Sequence, residues 1–490
     1  MEEKRRTRIE NGKVLLCFLI PALFCAWFRT AENYDEYWNF TFAKNVADGL
    51  LPYRDFNMLQ TPLSCFLSGG ILALFGKELI VLRLLGVVLF IGIMWVLYRI
   101  GRTLQIPPAA SMVLPFLFLA FLFWNVFWEY NCLLLFFQIT ILWRDLEADT
   151  DPDRYEKPVY QIFLGILGGL AMMCKQSTGT VLALFSLGSL WFASRRLHKR
   201  YGRLAFWRLI GTSIPCFLFL FYLLISGTFW DFLDMAVFSI GTFSHRYSYW
   251  RFMQENPIQF AAGALLLSIL TAAIAGAISR RKTVQGEKLA GALTMAVAGI
   301  VNIYPLSNAY HVGVSSISIL LLLYYLIPTS FFSLRAARVL FQILPAVLMA
   351  VCMAVPVIAV QIGPPAVLSR HSHYAGIWME EKREEEIWRV TAEIEKRREE
   401  GREVYIMDSF AVAYLLPVDC YHKYLDMFLV GNLGLKDPVE CVTDTPPGSL
   451  FLLPKDSSHC IQMPWEAYHY IEEHGQRKGE VGDFEIYSLS

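Results

Sequence analysis

Runs of 16 to 24 mostly apolar residues, separated by short polar stretches, fill the first 360 positions of this 490-residue chain. They fall at 13–28, 79–98, 109–125, 127–143, 159–174, 177–193, 205–226, 257–278, 289–304, 312–328 and 337–360. A helix needs about 20 apolar residues to cross a hydrocarbon core of about 30 Å. The pattern therefore predicts an α-helical polytopic membrane protein with about 11 transmembrane helices, the shorter ones tilted or in thinned bilayer. A twelfth apolar stretch, 62–76, is judged by charge. If it does not cross, Arg99 and Arg102, the cluster from Arg195 to Arg203, Arg280 to Lys282, and Arg335 with Arg338 all share the side of the basic amino terminus. Lysine- and arginine-rich loops of that kind are cytoplasmic. If it does cross, every one of them lands outside, so 62–76 is expected as a juxtamembrane or half-buried helix on the outer face. Lys4, Arg5, Arg6 and Arg8 precede the first run as in a signal peptide. The run ends in Trp27, Phe28 and Arg29 without a small-x-small cleavage site, and is read as an uncleaved first span.

The same parity places 29–78, the turn at Lys175–Gln176, 227–256, 304–311 and everything beyond about 361 on the outer side. Beyond 361 the pattern changes. A charged amphipathic stretch, 376–400, precedes three strand-like segments at 403–408, 450–453 and 484–489. The expected organisation is a transmembrane domain, 1–360, followed by a small extracytoplasmic α/β domain, 361–490. Composition agrees: 55% of residues are apolar and the mean hydropathy is +0.42. Lysine plus arginine and aspartate plus glutamate both total 43, which leaves no basic surplus for nucleic acid. The ten cysteines show no metal-ligand or redox spacing, and only Cys420, Cys441 and Cys460 lie in the tail.

The first outer loop carries the densest chemistry. Asn33-Tyr34-Asp35-Glu36-Tyr37-Trp38 follows the first span, a helical stretch runs on to Gly49, and Leu51-Pro52-Tyr53-Arg54-Asp55-Phe56 and Gln60-Thr61-Pro62-Leu63 come next. An acidic pair opening an aromatic amphipathic helix just past a span sets carboxylates at headgroup level. A carboxylate there deprotonates a hydroxyl if desolvation or a neighbouring charge raises its pKa, and Glu36 stands beside Asp35 for that purpose. The bland reading is a helix-opening pair that favours the macrodipole. Lys175 occupies a turn of almost no length between spans, where an ionisable group is costly unless it is used or snorkels to water. His245, Arg246, Tyr247, Tyr249, Trp250 and Arg251 suit either a lipid phosphate or interfacial anchoring. Tyr310–His311 lies in an outer turn after Asn302, Tyr304, Pro305 and Asn308, where a histidine binds substrate or caps a helix. His371-x-His373 lacks an acidic partner and reads as ordinary surface.

The order of these elements resembles the bacterial C-type (GT-C) integral-membrane glycosyltransferase superfamily. That group includes dolichyl-phosphate-mannose protein mannosyltransferases, lipid A aminoarabinose transferases and RgtA-like transferases. The resemblance rests on Asp35-Glu36 after the first span, then Gly49, Tyr53 and Asp55, Pro62-Leu63, Phe75-Gly76 and Leu82-Arg83-Leu84-Leu85. Lys175-Gln176-Ser177-Thr178-Gly179 and Tyr310-His311 extend it. It covers roughly the first 100 residues by motif and the rest by topology. One departure stands out: Gln60-Thr61-Pro62 replaces the Lys-Pro-Pro of many relatives, so a basic donor contact is missing there.

The resemblance implies transfer of a sugar from a polyprenyl-phosphate donor to a glycan, lipid or protein acceptor at the outer face of the cytoplasmic membrane, with inversion. Asp35 would be the general base. Glu36 and Asp55 would position the acceptor or hold a divalent cation, Mg or Mn, if the reaction uses one. Arg83, Lys175, Gln176, His245, Arg246, Arg251, Tyr310 and His311 would bind substrate, with Lys175 replacing the missing donor contact. The alternatives are a transporter or flippase of lipid-linked sugars, which would be expected to show internal repeats and broken helices, and a non-catalytic relative whose tail recruits a partner.

Overall fold

The computed structural model describes residues 2–31, 33–239, 257–303, 308–408, 412–418, 422–458, 460 and 463–489. Seven of the helices described are long and apolar enough to cross a bilayer: Ile9–Trp27, Leu79–Thr103, Gln176–Arg196, Tyr201–Ile225, Ile258–Ser279, Ala309–Leu326 and Arg335–Ile362. The chain is a multi-pass membrane protein. The other expected spans form shorter helices, among them Tyr130–Leu146, Pro158–Cys174 and Val284–Ile300. The stretch expected at 109–125 is not one run but two pieces, Pro108–Ser111 and Val113–Phe121. Prolines explain the break. Pro107 and Pro108 open the first piece and Pro115 falls in the first turn of the second, where a missing N–H leaves no intrahelical bond unmade. Leu63–Phe75, at 13 residues, is about 20 Å long and cannot span the core.

Two compact units divide the chain. The first comprises 1–29, 83–220 and 246–359, and the second 30–82, 221–245 and 360–490.

In the first unit, small residues let helices meet at backbone distance. A methyl group added at Gly165 would lie 2.0 Å from the Arg208 carbonyl oxygen, and one at Gly169 would lie 2.5 Å from that of Thr212. Reciprocally, a methyl at Gly211 would meet the Ile162 carbonyl at 2.1 Å. Glycines four apart facing a glycine on the next helix are the usual means of close helix approach where both surfaces are as apolar as lipid. The Thr212 hydroxyl donates to the Gly165 carbonyl at 3.1 Å across this crossing. Beside it, fully buried Arg208 donates to Asp145 at 2.7 and 3.1 Å, to Gln161 Oε1 at 2.9 Å and to the Ser186 carbonyl at 2.9 Å. Tyr155 donates to the same aspartate at 2.7 Å. An ion pair so placed holds only because all its lone pairs and protons find partners. Partly buried ion pairs also occur in this unit, including Arg196–Asp149 at 3.1 Å, Lys288–Asp149 at 2.9 Å and Lys199–Glu156 at 2.7 Å.

In the second unit, Tyr34–Ala47 packs against Leu63–Phe75 so closely that a methyl at Gly69 would lie 2.7 Å from Val46 and 2.8 Å from the Ala43 carbonyl. Strands β1 (Ala366–Leu368) and β2 (Trp378–Glu380) form an antiparallel ribbon. A mixed sheet contains β3 (Val404–Ile406), β4 (Leu450–Pro454), β5 (Gln476–Val481) and β6 (Phe484–Ser488) in the order β3-β4-β6-β5. β3 and β4 run parallel, whereas β4, β6 and β5 are antiparallel neighbours. Tyr405, Met407, Phe428, Phe451, Leu453, Met463 and Ile471 fill the core on one face. The amphipathic helix Glu381–Glu399 buries Ile387, Val390, Thr391 and Ile394. The carboxy-terminal part is the expected small α/β region.

Candidate functional site

The second unit holds the acidic loop. Asn33 caps the helix Tyr34–Ala47, its side-chain oxygen accepting from the Asp35 N–H at 3.0 Å, so Asp35 and Glu36 lie in the first turn. Their environments differ. Glu36 is fully buried, while Asp35 is half-buried. Among the described residues no group hydrogen-bonds the Asp35 carboxylate; the Asn39 side chain binds only its backbone carbonyl, at 2.7 Å. Burial alone pushes the Asp35 pKa up to about 6. The charge of Glu36, which the sequence offered as a second cause, is not among the causes of that shift. An acid poised near 6 is ionised at neutral pH and still basic enough to take a proton in a transition state.

Asp55 is differently employed. It accepts two hydrogen bonds from Arg54, at 2.8 and 2.9 Å, and one from the Leu51 N–H at 2.8 Å. The Arg54 guanidinium holds its pKa below the usual carboxylate range. It closes a turn in which buried Tyr53 has a positive φ of 69° and donates its hydroxyl to the Gln60 carbonyl at 2.7 Å. Among the described residues no group of three or more His, Cys, Asp or Glu is placed to hold a metal ion. Asp35, Glu36 and Asp55 do not form a ligand set. His371 and His373 have different partners: the His371 ring lies against Trp388 at an interplanar angle of 34°, and His373 Nδ1 meets the Lys77 carbonyl.

The first unit holds Lys175. One extended residue, Lys175 (φ −152°, ψ 109°), ends the helix Pro158–Cys174 and begins Gln176–Arg196, which turns its side chain inward. Only 7% exposed, its ammonium donates to Asn302 Oδ1 at 2.9 Å, the Asn302 carbonyl at 3.4 Å and Asn131 Oδ1 at 3.4 Å. The Asn131 amide in turn donates to Glu129 at 2.6 Å. Glu129, 1% exposed, caps the helix Tyr130–Leu146 through the N–H groups of Asn131 and Cys132, at 2.6 and 2.9 Å. Tyr310 donates its hydroxyl to the same carboxylate. Asn308 caps Ala309–Leu320 and its Oδ1 meets both the N–H and Nδ1 of His311, at 2.9 and 2.8 Å. Lys175 and Tyr310 are thus brought together through Glu129 and Asn131, neither of which was singled out from the sequence. The Asn302 amide nitrogen is buried without a hydrogen-bond partner among the described residues. Gln176 is half-buried at the start of its helix.

Arg83 is fully buried and donates to the Ala26 and Arg29 carbonyls at 3.1 and 3.2 Å. It therefore satisfies the carboxy-terminal end of the first helix. His245, Arg246 and Arg251, with Tyr304 and Pro305, lie outside the described residues.

No protein-family model matches the sequence. No curated protein matches it either. Solved structures do. ArnT from Cupriavidus metallidurans bound to undecaprenyl phosphate matches with a TM-score of 0.59 at 13% identity, over 98% of this chain and 97% of that one. Its apo state gives 0.58 at 13% identity, over 100% and 98%. The archaeal oligosaccharyltransferase AglB from Archaeoglobus fulgidus, in complex with an inhibitory peptide and a dolichol-phosphate, gives 0.55 at 13% identity, over 99% of this chain and 74% of that one. At that identity what is shared is the fold, and the chain has the GT-C fold.

Proposed function

We propose that this protein is a membrane glycosyltransferase that moves a sugar from a polyprenyl-phosphate donor to an acceptor on the outer face of the cytoplasmic membrane. The observation that carries the reading is a fold shared along nearly the whole chain with two proteins, one bound to undecaprenyl phosphate and the other, an oligosaccharyltransferase, to a dolichol-phosphate. Asp35 serves as the base. An acceptor hydroxyl gives its proton to the Asp35 carboxylate as its oxygen bonds to the anomeric carbon. The bond from that carbon to the phosphate oxygen breaks, the phosphate leaves with the electron pair, and the configuration inverts. A carboxylate raised to about 6 by burial, with no donor satisfying it among the described residues, is suited to that task.

Lys175 is the phosphate ligand in this reading. A buried ammonium held largely by neutral amide oxygens can exchange one of them for a phosphate oxygen. Glu129 and Tyr310 orient it through Asn131. The regions 29–78 and 361–490 belong on the outer side by the distribution of basic loops. The test is transfer of radiolabelled sugar from polyprenyl-phosphate donors by purified protein in lipid, native against Asp35→Asn. Transfer by the native protein that is lost in the variant, with donor binding intact, supports the reading. Equal transfer by both removes Asp35 from the mechanism, and movement of labelled lipid between leaflets without transfer replaces the enzyme with a flippase.

A further inference from the structure

Within the second unit, a cleft of about 470 Å³ lies at the carboxyl ends of the parallel strands β3 and β4, bounded by Arg383, Asp408, Tyr414, Lys455, Asp456 and Asp483. Open α/β sheets bind ligands at that end of their parallel strands, and the volume falls within the usual range of small-molecule sites, about 300–1,000 Å³. Asp408 lies two residues beyond the end of β3, and Lys455 and Asp456 directly follow β4, so the strand ends place these groups at the cleft. Arg383 donates to the Tyr414 hydroxyl from the helix Glu381–Glu399.

The cleft is anchored to the helix Tyr34–Ala47, which carries Asp35 in its first turn. The Tyr37 ring of that helix meets Tyr374 edge-on at 5.9 Å, and Tyr374 donates its hydroxyl to the Ala413 carbonyl at 2.7 Å, in the short helix that carries Tyr414. Tyr34, adjacent to Asp35, lies within electrostatic reach of Asp408. Three carboxylates against two cations disfavour an anionic ligand. Aspartates accept pairs of hydroxyl protons and arginine donates to ring or hydroxyl oxygens, which is the complement of a sugar.

We propose that this cleft is the acceptor subsite and that it takes a neutral, polyhydroxylated saccharide terminus. The inference rests on the glycosyltransferase reading above, but its test is a binding measurement separate from transfer. Full-length protein in lipid nanodiscs is applied to an array of neutral, amino-sugar and uronic-acid oligosaccharides of about two to four units. Asp456 and Asp483 are exposed, so Asp456→Asn and Asp483→Asn remove charge without disturbing the core. Binding to at least one neutral oligosaccharide is expected, at least tenfold weaker in both variants and unchanged in Glu473→Gln, an exposed substitution away from the cleft. No binding to any neutral oligosaccharide, binding that survives both aspartate substitutions, or preference for uronic acids overturns the proposal. Donor consumption by the native protein is followed in parallel. Donor cleavage without glycan binding removes the cleft and leaves the transferase. Glycan binding without donor cleavage removes the transferase and the acceptor role with it.

Discussion

Lys175 in the first unit and Asp35 in the second are both ionisable groups withdrawn from water, yet their surroundings are opposite. The ammonium is met by three oxygens and is linked through Asn131 to a carboxylate. The carboxylate of Asp35 meets no hydrogen-bond donor among the described residues, and burial raises its pKa. A charge that must stay fixed while an anion comes and goes benefits from neutral partners that can be exchanged. A base benefits from lacking them, because every donor that stabilises its ionised form lowers its pKa. The contrast is the one that the proposed division between a phosphate-binding group and a general base calls for.

The largest expected effect is at the proposed base. Asp35→Asn should lower the turnover of labelled sugar transfer about 10²–10⁴-fold, the usual contribution of a positioned general base. The donor concentration for half-maximal rate should change little. Lys175→Met should cost about 10²–10³-fold in transfer, as losing one charge-stabilising donor does, and should weaken binding of polyprenyl phosphate measured alone. If Lys175→Met leaves phosphate binding intact, the two groups are not divided as described. A pH profile sharpens the assignment. With Asp35 at about 6, transfer should rise with pH and level off above 7, standing about tenfold below its plateau at pH 5. That inflection should vanish from the residual activity of Asp35→Asn.

The smallest effect distinguishes the two groups by the sign of stability. The folded pKa of Asp35, about 6, exceeds the unfolded value of about 3.9. The folded state therefore binds more protons between pH 4 and 6. Stability falls as pH rises through that window, and the cost is complete above it. Asp35→Asn should accordingly stabilise the protein by about 1–2 kcal/mol at pH 8, allowing for partial solvent screening, and by nothing at pH 4. Lys175→Met strands the Asn302 oxygen in a buried site and should destabilise by about 1–3 kcal/mol. Thermal melts of both variants at the two pH values read the difference directly.

What the sequence disclosed follows its periodicities. The long helices were legible because their apolar runs exceed any soluble element, and loop charge argued against a span at 62–76, where the helix is only 13 residues long. Strands β3, β4 and β6 announced themselves by buried apolar residues, whereas β5, Gln-Arg-Lys-Gly-Glu-Val, is a charged edge strand that exists only by pairing with β6. The break near Met112 was hidden because hydropathy is blind to where helical hydrogen bonds stop, although the prolines marked it. Glu129 escaped because it sits at the start of an apolar run beside Trp128 and Tyr130. The criterion that drew attention to Lys175, an ionisable group inside apolar sequence, applied to it equally. The turn made by Arg54 and Asp55 could not be read, since a side chain closing its own loop and one reaching for substrate look alike in sequence.

The Asp145–Arg208 pair constrains how the chain is made. Its partners are 63 residues apart, and at about 5–20 residues per second the arginine leaves the ribosome some 3–13 s after the aspartate. For that interval Asp145 lacks the guanidinium that donates two hydrogen bonds to it in the folded protein, and a carboxylate held away from water without such a partner is costly. A truncation before 208 would leave that carboxylate without its guanidinium, so the helix carrying Asp145 depends on one made later.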